Sequence, residues 1–207
     1  YGFTASKEET GVYFQSKYAP VVENILPKIA ELSHKHGLQL FAWMTTRYAD
    51  YGIENKKEYL CKSFYFEAKD YKLCKGMSLF NKEVIKRLEN IYLELAAYDI
   101  DGILFQDDLV LKNNEEFSEA AKEAYFKEFQ TELKPENLYT TISQREDGRF
   151  FVSKYSADFW RWSVWKNKSL LKVAKNLMDL CKKLKPELKF SINLMYETVT
   201  SPKNALG

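Results

Sequence analysis

The sequence predicts an α/β protein, a parallel sheet with helices packed outside it. Short apolar runs alternate along the chain with longer segments of helical periodicity. Two of these runs, Leu38–Met44 and the stretch containing Gly102–Phe105, are nearly continuous in apolar residues, as strands buried on both faces require. Hydrophobic residues make up 45% of the 207, enough to bury a substantial core.

The elements run in order. Val12-Tyr-Phe-Gln15, after Gly11, has the β-branched and aromatic content of a strand. From Val21 to Lys35 apolar residues recur at helical spacing, with Gly37 as a stop and Pro27 either a kink or the true start. Leu38–Met44 is the second strand. Thr45 to Gly76 reads as a long loop rich in Tyr and Phe; its length points to function and its aromatic content argues against disorder. Asn81 caps a helix carrying Val84, Leu88, Ile91, Tyr92 and Leu95 on one stripe. Asp101-Gly-Ile-Leu-Phe105 is the third strand. Glu115 to Leu133 reads as a helix, and Pro135 to Phe151 as a loop with a turn at Asp147-Gly148. Ser156 to Leu184 is a long helix ahead of Pro186, and Lys189–Met195 is the fourth strand.

Two architectures fit this alternation, an open doubly wound sheet or part of a (β/α) barrel. No glycine-rich phosphate loop comes after any strand, which disfavours a dinucleotide-binding sheet. A full eight-fold barrel takes about 250 residues, so four strands are about half of one. Residues 1–207 are therefore expected to be a partial barrel cut at both ends. Tyr1 in place of an initiator Met fits an excerpt from a longer chain.

Composition excludes several classes. A net charge of +2, from 31 basic and 29 acidic residues, argues against nucleic-acid binding driven by bulk charge. No run approaches the roughly 20 apolar residues of a membrane helix, and no signal peptide opens the chain. Cys61, Cys74 and Cys181 do not form a disulfide framework; Cys61 and Cys74 could pair only if geometry allows. His34 and His36 read as a solvated helix end. Neither a metal nor a cofactor is expected.

In parallel α/β folds chemistry collects at the carboxyl ends of strands. Those ends supply Gln15 to Lys17, Trp43 to Arg47, Gln106 to Asp108, and Asn193, Tyr196 and Glu197. Asp107 and Asp108 are adjacent on a strand, so their side chains leave in opposite directions and their roles should differ. A lone Asp after a strand is commonly a cap for the next helix, and two in tandem shift the balance modestly toward function. A pair could supply the acid for glycosidic cleavage or hold Mg²⁺, though the latter lacks a phosphate-binding partner. Trp160, Trp162 and Trp165 are equally compatible with core and with a sugar-stacking wall.

Leu93-Glu-Leu-Ala-Ala-Tyr-Asp-Ile-Asp-Gly-Ile-Leu-Phe-Gln-Asp-Asp-Leu-Val-Leu111 resembles the carboxyl-terminal domain of PgaB-type proteins, where the pattern reads DGILFHDD. Gly11–Gln15, Phe41-Ala-Trp-Met44, Met77-Ser-Leu-Phe80 and Trp162–Lys168 are similar to further stretches of that domain, in the same order. The resemblance implies a (β/α)8 barrel of glycoside hydrolase family 153, cleaving partially de-N-acetylated poly-β-1,6-N-acetyl-D-glucosamine, a biofilm polysaccharide. It further implies a periplasmic or outer-membrane-associated location in a Gram-negative bacterium, and a parent chain carrying a polysaccharide deacetylase domain. On the same basis Asp107 takes the place of the catalytic acid and Asp108 that of a neighbouring ligand-binding carboxylate. Gln106 stands where the family has His, and Gln cannot titrate. The family's acidic loop survives loosely as Glu115 and Glu116. Trp43, Tyr48, Gln106, Glu115, Glu116, Trp162, Asn193 and Tyr196 are the expected substrate-binding residues. Asp50, Asp107, Asp108, Glu115 and Glu116 are expected to form an acidic cleft for a cationic sugar polymer. The alternative is a non-catalytic module that guides the same polymer.

Overall fold

A computed structural model describes residues 11–53 and 55–193. At its centre three parallel strands lie side by side in the order β1 (Phe41–Met44), β4 (Gly102–Phe105), β7 (Lys189–Ile192). Their register is continuous: Phe41, Gly102 and Lys189 lie abreast at one end, and Met44, Phe105 and Ile192 at the other. Each long crossover between these strands includes a helix, α2 (Lys82–Ala96) before β4 and α5 (Ala157–Leu184) before β7, and the two pack on each other. This is the (β/α) unit repeated, as the alternation in sequence predicts.

Two strands of the sheet show why the apolar runs are continuous. Ala42, Met44, Ile103 and Phe105 are buried and pack with Val84, Leu88, Ile91 and Leu95 of α2 and Leu170, Val173 and Leu177 of α5. Full burial of each large side chain among these contributes about 1.5–3 kcal/mol. On the opposite face, Trp43, Leu104 and Ser191 line up across the three strands. Gly102 is required at the start of β4 because the Phe41 ring lies against it; a Cβ there would run into that ring and come within 2.9 Å of the Lys189 carbonyl oxygen.

Caps set the helix ends. The Asn81 side chain accepts from the Glu83 and Val84 amides, and the Ser156 hydroxyl oxygen accepts from the Phe159 amide. Pro27 proves to be in the first turn of α1 (Leu26–Lys35), so it marks the start rather than a kink. The helix stops after His36, where Gly37 takes φ +68°.

Below β4, Asp101 accepts from the Leu40 amide at 2.7 Å, and His34 bridges Asp101 (2.9 Å) and Asp99 (3.1 Å). His34 is thus a tie between α1 and the entry to β4 rather than a merely solvated helix end. The hydrogen bond to Asp101 pushes the imidazole up from its ordinary range, and the Leu40 amide together with His34 holds Asp101 below the usual carboxylate range.

The structure corrects several expectations. Val12–Gln15 is not a strand: Val12 makes one parallel bridge to Val21, and the chain between them loops around Ser16, whose hydroxyl accepts from the Tyr18 and Ala19 amides. Val12 and Phe14 still enter the core. The stretch from Thr45 to Gly76 is not a loop throughout; it holds an antiparallel hairpin, β2 (Leu60–Tyr65) and β3 (Asp70–Met77). Likewise a short helix α4 (Pro135–Leu138) leads into a hairpin of β5 (Tyr139–Gln144) and β6 (Phe150–Tyr155), which turns through Gly148 at φ +83°. The expected helix from Glu115 is shorter, α3 (Glu119–Phe129), with Ser118 as its cap. β2, α3, β5 and α5 share a second, aromatic core built on Phe64, Phe117, Tyr125, Tyr139, Phe159 and Trp162.

The lower end of the sheet can be probed at two residues. Gly102→Ala should cost about 1–3 kcal/mol by forcing Phe41 aside, seen as a lower urea midpoint at unchanged slope. A histidine whose pKa is raised by folding contributes stability that is fully present below its unfolded value and is lost as pH rises through the folded value. The Tm difference between wild type and His34→Gln should therefore shrink as pH is raised from about 6 to about 8.

Candidate active site at the carboxyl ends of the strands

The carboxyl ends of β1, β4 and β7 bring together Thr45–Tyr48, Gln106–Asp108 and Asn193. Gln106 continues β4, its amide donating to the Met44 carbonyl at 3.0 Å. It is half-buried and falls on the Leu104 face, the one turned away from the α2 and α5 core. The two aspartates next to it part company. Asp107 is exposed and accepts from the Asn193 side-chain amide at 2.9 Å. Asp108 is 2% exposed and points back into the protein.

Asp108 is a clamp between β4 and the segment leaving β1. One carboxylate oxygen accepts from the Thr46 amide (2.7 Å) and the Tyr48 amide (2.9 Å); the other accepts from the Thr46 hydroxyl at 2.7 Å. Burial pushes its pKa up, and the Tyr48 and Thr46 hydrogen bonds oppose that rise. The site-facing role expected for Asp108 is therefore replaced by a structural one: its oxygens are committed to backbone and hydroxyl donors. The two carboxylates also do not turn together toward one point, as a shared Mg²⁺ would need.

Glu115 and Glu116 are corrected in the same sense. Both are buried. Glu115 pairs with the buried Arg47 guanidinium at 3.3 Å, and Arg47 also donates to the Val110 carbonyl. Glu116, in the left-handed region at φ +86°, accepts from the Ser118 hydroxyl at 2.6 Å, and burial pushes its pKa up. Lys166 of α5 donates to the Lys112 carbonyl at 2.5 Å and the Glu115 carbonyl at 3.1 Å. Its ammonium also lies 3.8 Å from the Trp162 ring centroid, and burial brings its pKa down to about 7. The acidic segment is thus a strut inside the protein, and of the five carboxylates expected in the cleft Asp107 is exposed, Asp50 half-buried and the other three buried.

The aromatic candidates divide as well. Trp162 is fully buried among Phe117, Phe159 and the rest of the second core, so it packs and does not stack on a ligand. Trp43 is half-buried on the inner face of β1, and its indole N–H has no partner among the described residues. Tyr48 is half-buried, its ring laid over the backbone of Gly76, with the Lys75 ammonium 4.5 Å from the ring centroid. Tyr196 lies outside the described residues. Thr46 and Lys166, which hold the site's loops, have no motif in the sequence to mark them. Thr46 is marked only by its place among the strand-end residues Trp43 to Arg47, whereas a lysine inside an aromatic helix face is a pattern that could draw attention.

A parallel sheet of (β/α) type, carrying an exposed carboxylate and half-buried aromatic side chains at its strand ends, is compatible with a glycoside hydrolase barrel, a fold that also serves other chemistries. The chain belongs to the family described as hypothetical glycosyl hydrolase family 13, whose model matches residues 5–206. Its structure is similar to the glycoside hydrolase domain of PgaB (BpsB) from Bordetella bronchiseptica, with a TM-score of 0.72 at 20% identity over 94% of this chain. It is also similar to α-L-fucosidase isoenzyme 2 from Paenibacillus thiaminolyticus, with a TM-score of 0.61 at 13% identity over 89% of this chain. The chain spans 53% of the Bordetella chain and 25% of the fucosidase chain. No curated protein matches the sequence. The partial barrel and the likeness to a PgaB-type domain expected from sequence are both borne out.

Removing the clamp separates its role from catalysis. Asp108→Ala leaves three donors unpaired and should destabilise the protein by about 2–4 kcal/mol. Asp108→Asn should cost far less, because its carbonyl can face the two amides while its NH₂ donates to the Thr46 hydroxyl oxygen. Denaturant midpoints of the two variants check this.

Proposed function

We propose that this chain is part of a hydrolase that cleaves partially de-N-acetylated poly-β-1,6-N-acetyl-D-glucosamine, with Asp107 as the general acid. The observation that carries the reading is the split between the aspartates. Asp107 is presented to solvent at the carboxyl end of β4, and Asp108 fixes the segment beside it. A glycosidase needs a group that protonates the leaving oxygen and a second that attacks the anomeric carbon or activates water. Asp107 supplies the first. Asp108 is unsuited to the second, and the substrate's own acetamido oxygen can serve instead.

The remaining side chains suit a sugar polymer. The Asn193 side-chain amide donates to one Asp107 oxygen, so this hydrogen bond does not occupy the other. Trp43 offers an apolar ring on the same face of the sheet as Leu104. Gln106 can hydrogen-bond a hydroxyl or amide but holds no titratable proton, so acid chemistry rests on Asp107. A glucosamine unit is cationic near neutral pH, and Asp107 with Asp50 gives it a local negative field despite the chain's net charge of +2. A periplasmic or outer-membrane-associated setting and a deacetylase domain in the same polypeptide fit this substrate and belong to the same proposal.

Asp107→Asn in the full-length protein should lower oligosaccharide release from the deacetylated polymer by about 10²–10⁴-fold while leaving the denaturant midpoint unchanged and the polymer still bound, more weakly by the loss of one attracting charge. Wild-type protein that retains the polymer and releases no oligosaccharide is instead a guiding module.

A further inference from the structure

The hairpin of β2 and β3 braces both segments of the site. The Arg47 carbonyl accepts from the Met77 amide, the Lys62 carbonyl accepts from the Glu116 and Phe117 amides, and the Asn114 carbonyl accepts from the Phe64 amide. Across this hairpin Lys62 lies opposite Leu73 and Leu60 opposite Met77. Continuing the Lys62–Leu73 register by one residue sets Cys61 opposite Cys74; the irregularity between Leu60 and Lys62 takes up Lys75 and Gly76. Directly opposed residues in an antiparallel pair have Cα atoms about 4.5–5.5 Å apart, within the span a disulfide bridges. The two sulfurs and a Glu115 carboxylate oxygen all lie within 4.8 Å of one another. Cys181, the third cysteine, is buried in α5 beside the Tyr92 carbonyl, in the other core.

We propose that Cys61 and Cys74 form a disulfide that staples the hairpin, made by exchange with a disulfide-bearing oxidant. The surroundings favour this over a metal site. Glu115 is already paired with Arg47, whose guanidinium opposes a divalent cation at the same place. The thiols also differ in reach: Cys61 is buried and Cys74 is partly exposed. The neighbouring Cys61 thiol holds the Cys74 pKa below the ordinary thiol value. Cys74 is therefore the attacking thiolate. It displaces one thiolate from the oxidant and forms a mixed disulfide. The Cys61 sulfur, losing its proton, then attacks the Cys74 sulfur and displaces the second. Two thiols give up two electrons and two protons, and the oxidant's disulfide becomes two thiols.

The test is peptide mapping of the full-length wild-type protein without reduction, after treatment with oxidised glutathione and alkylation of remaining thiols. The expected product is the Cys61 peptide joined to the Cys74 peptide, with Cys181 alkylated. The oxidised protein should also melt higher than the dithiothreitol-reduced one, and Cys61→Ser or Cys74→Ser should each abolish that difference. Recovery of both cysteines alkylated, or each joined to glutathione or to another cysteine, overturns the proposal. So does retention of one equivalent of Zn²⁺ through dialysis with protection of both thiols from oxidation.

Discussion

Three hydrogen bonds converge on the Asp108 carboxylate, and the rest of the site depends on them. They join the end of β4 to the segment leaving β1 through the Thr46 amide, the Thr46 hydroxyl and the Tyr48 amide. A carboxylate in so buried a place needs donors on its lone pairs, and these three offset part of the cost of burial. The next residues outward inherit that order. Arg47 is held between Glu115 and the Val110 carbonyl, and Lys166 ties down the Lys112–Glu115 turn from beneath. Asp107 is left as the carboxylate at the strand end that still faces out.

Each position of the segment Asp101–Asp108 has a physical reason. Asp101 anchors the strand to Leu40 and His34. Gly102 makes room for Phe41. Ile103 and Phe105 enter the helix-side core, and Leu104 and Gln106 take the other face. Asp107 and Asp108 lie in the turn after β4, where strand alternation no longer governs, and they divide between solvent and interior. Two carboxylates at a strand end therefore need not be two catalytic groups.

Much of the fold is legible in the sequence because burial imposes periodicity. The stripe of α2, the apolar runs of β1 and β4 and the Asn81 cap all stand where their spacing indicates, and the long helix begins at Ser156, which proves to be its cap. The hairpins are hidden for a physical reason. β2 and β3 turn through Lys69 in a left-handed conformation without an Asn-Gly or Asp-Gly signal, and their Lys residues blur the alternation. At the site, charge misleads where burial decides. Glu115 and Glu116 look like a solvated acidic loop in sequence, yet Arg47, Ser118 and Lys166 draw them inside, and only tertiary structure brings these residues together. Trp162 is ambiguous in sequence because helical spacing alone does not say which aromatic face meets the core.

The central claim is that Asp107 meets the sugar while Asp108 holds the protein. A crystal structure of the full-length Asp107→Asn protein with a β-1,6-linked glucosamine oligomer tests it most directly. The account predicts a glycosidic oxygen within hydrogen-bond reach of residue 107, with Asp108 still accepting from the Thr46 and Tyr48 amides. An oligomer seated on the Asp108 carboxylate, with those amides released, contradicts it.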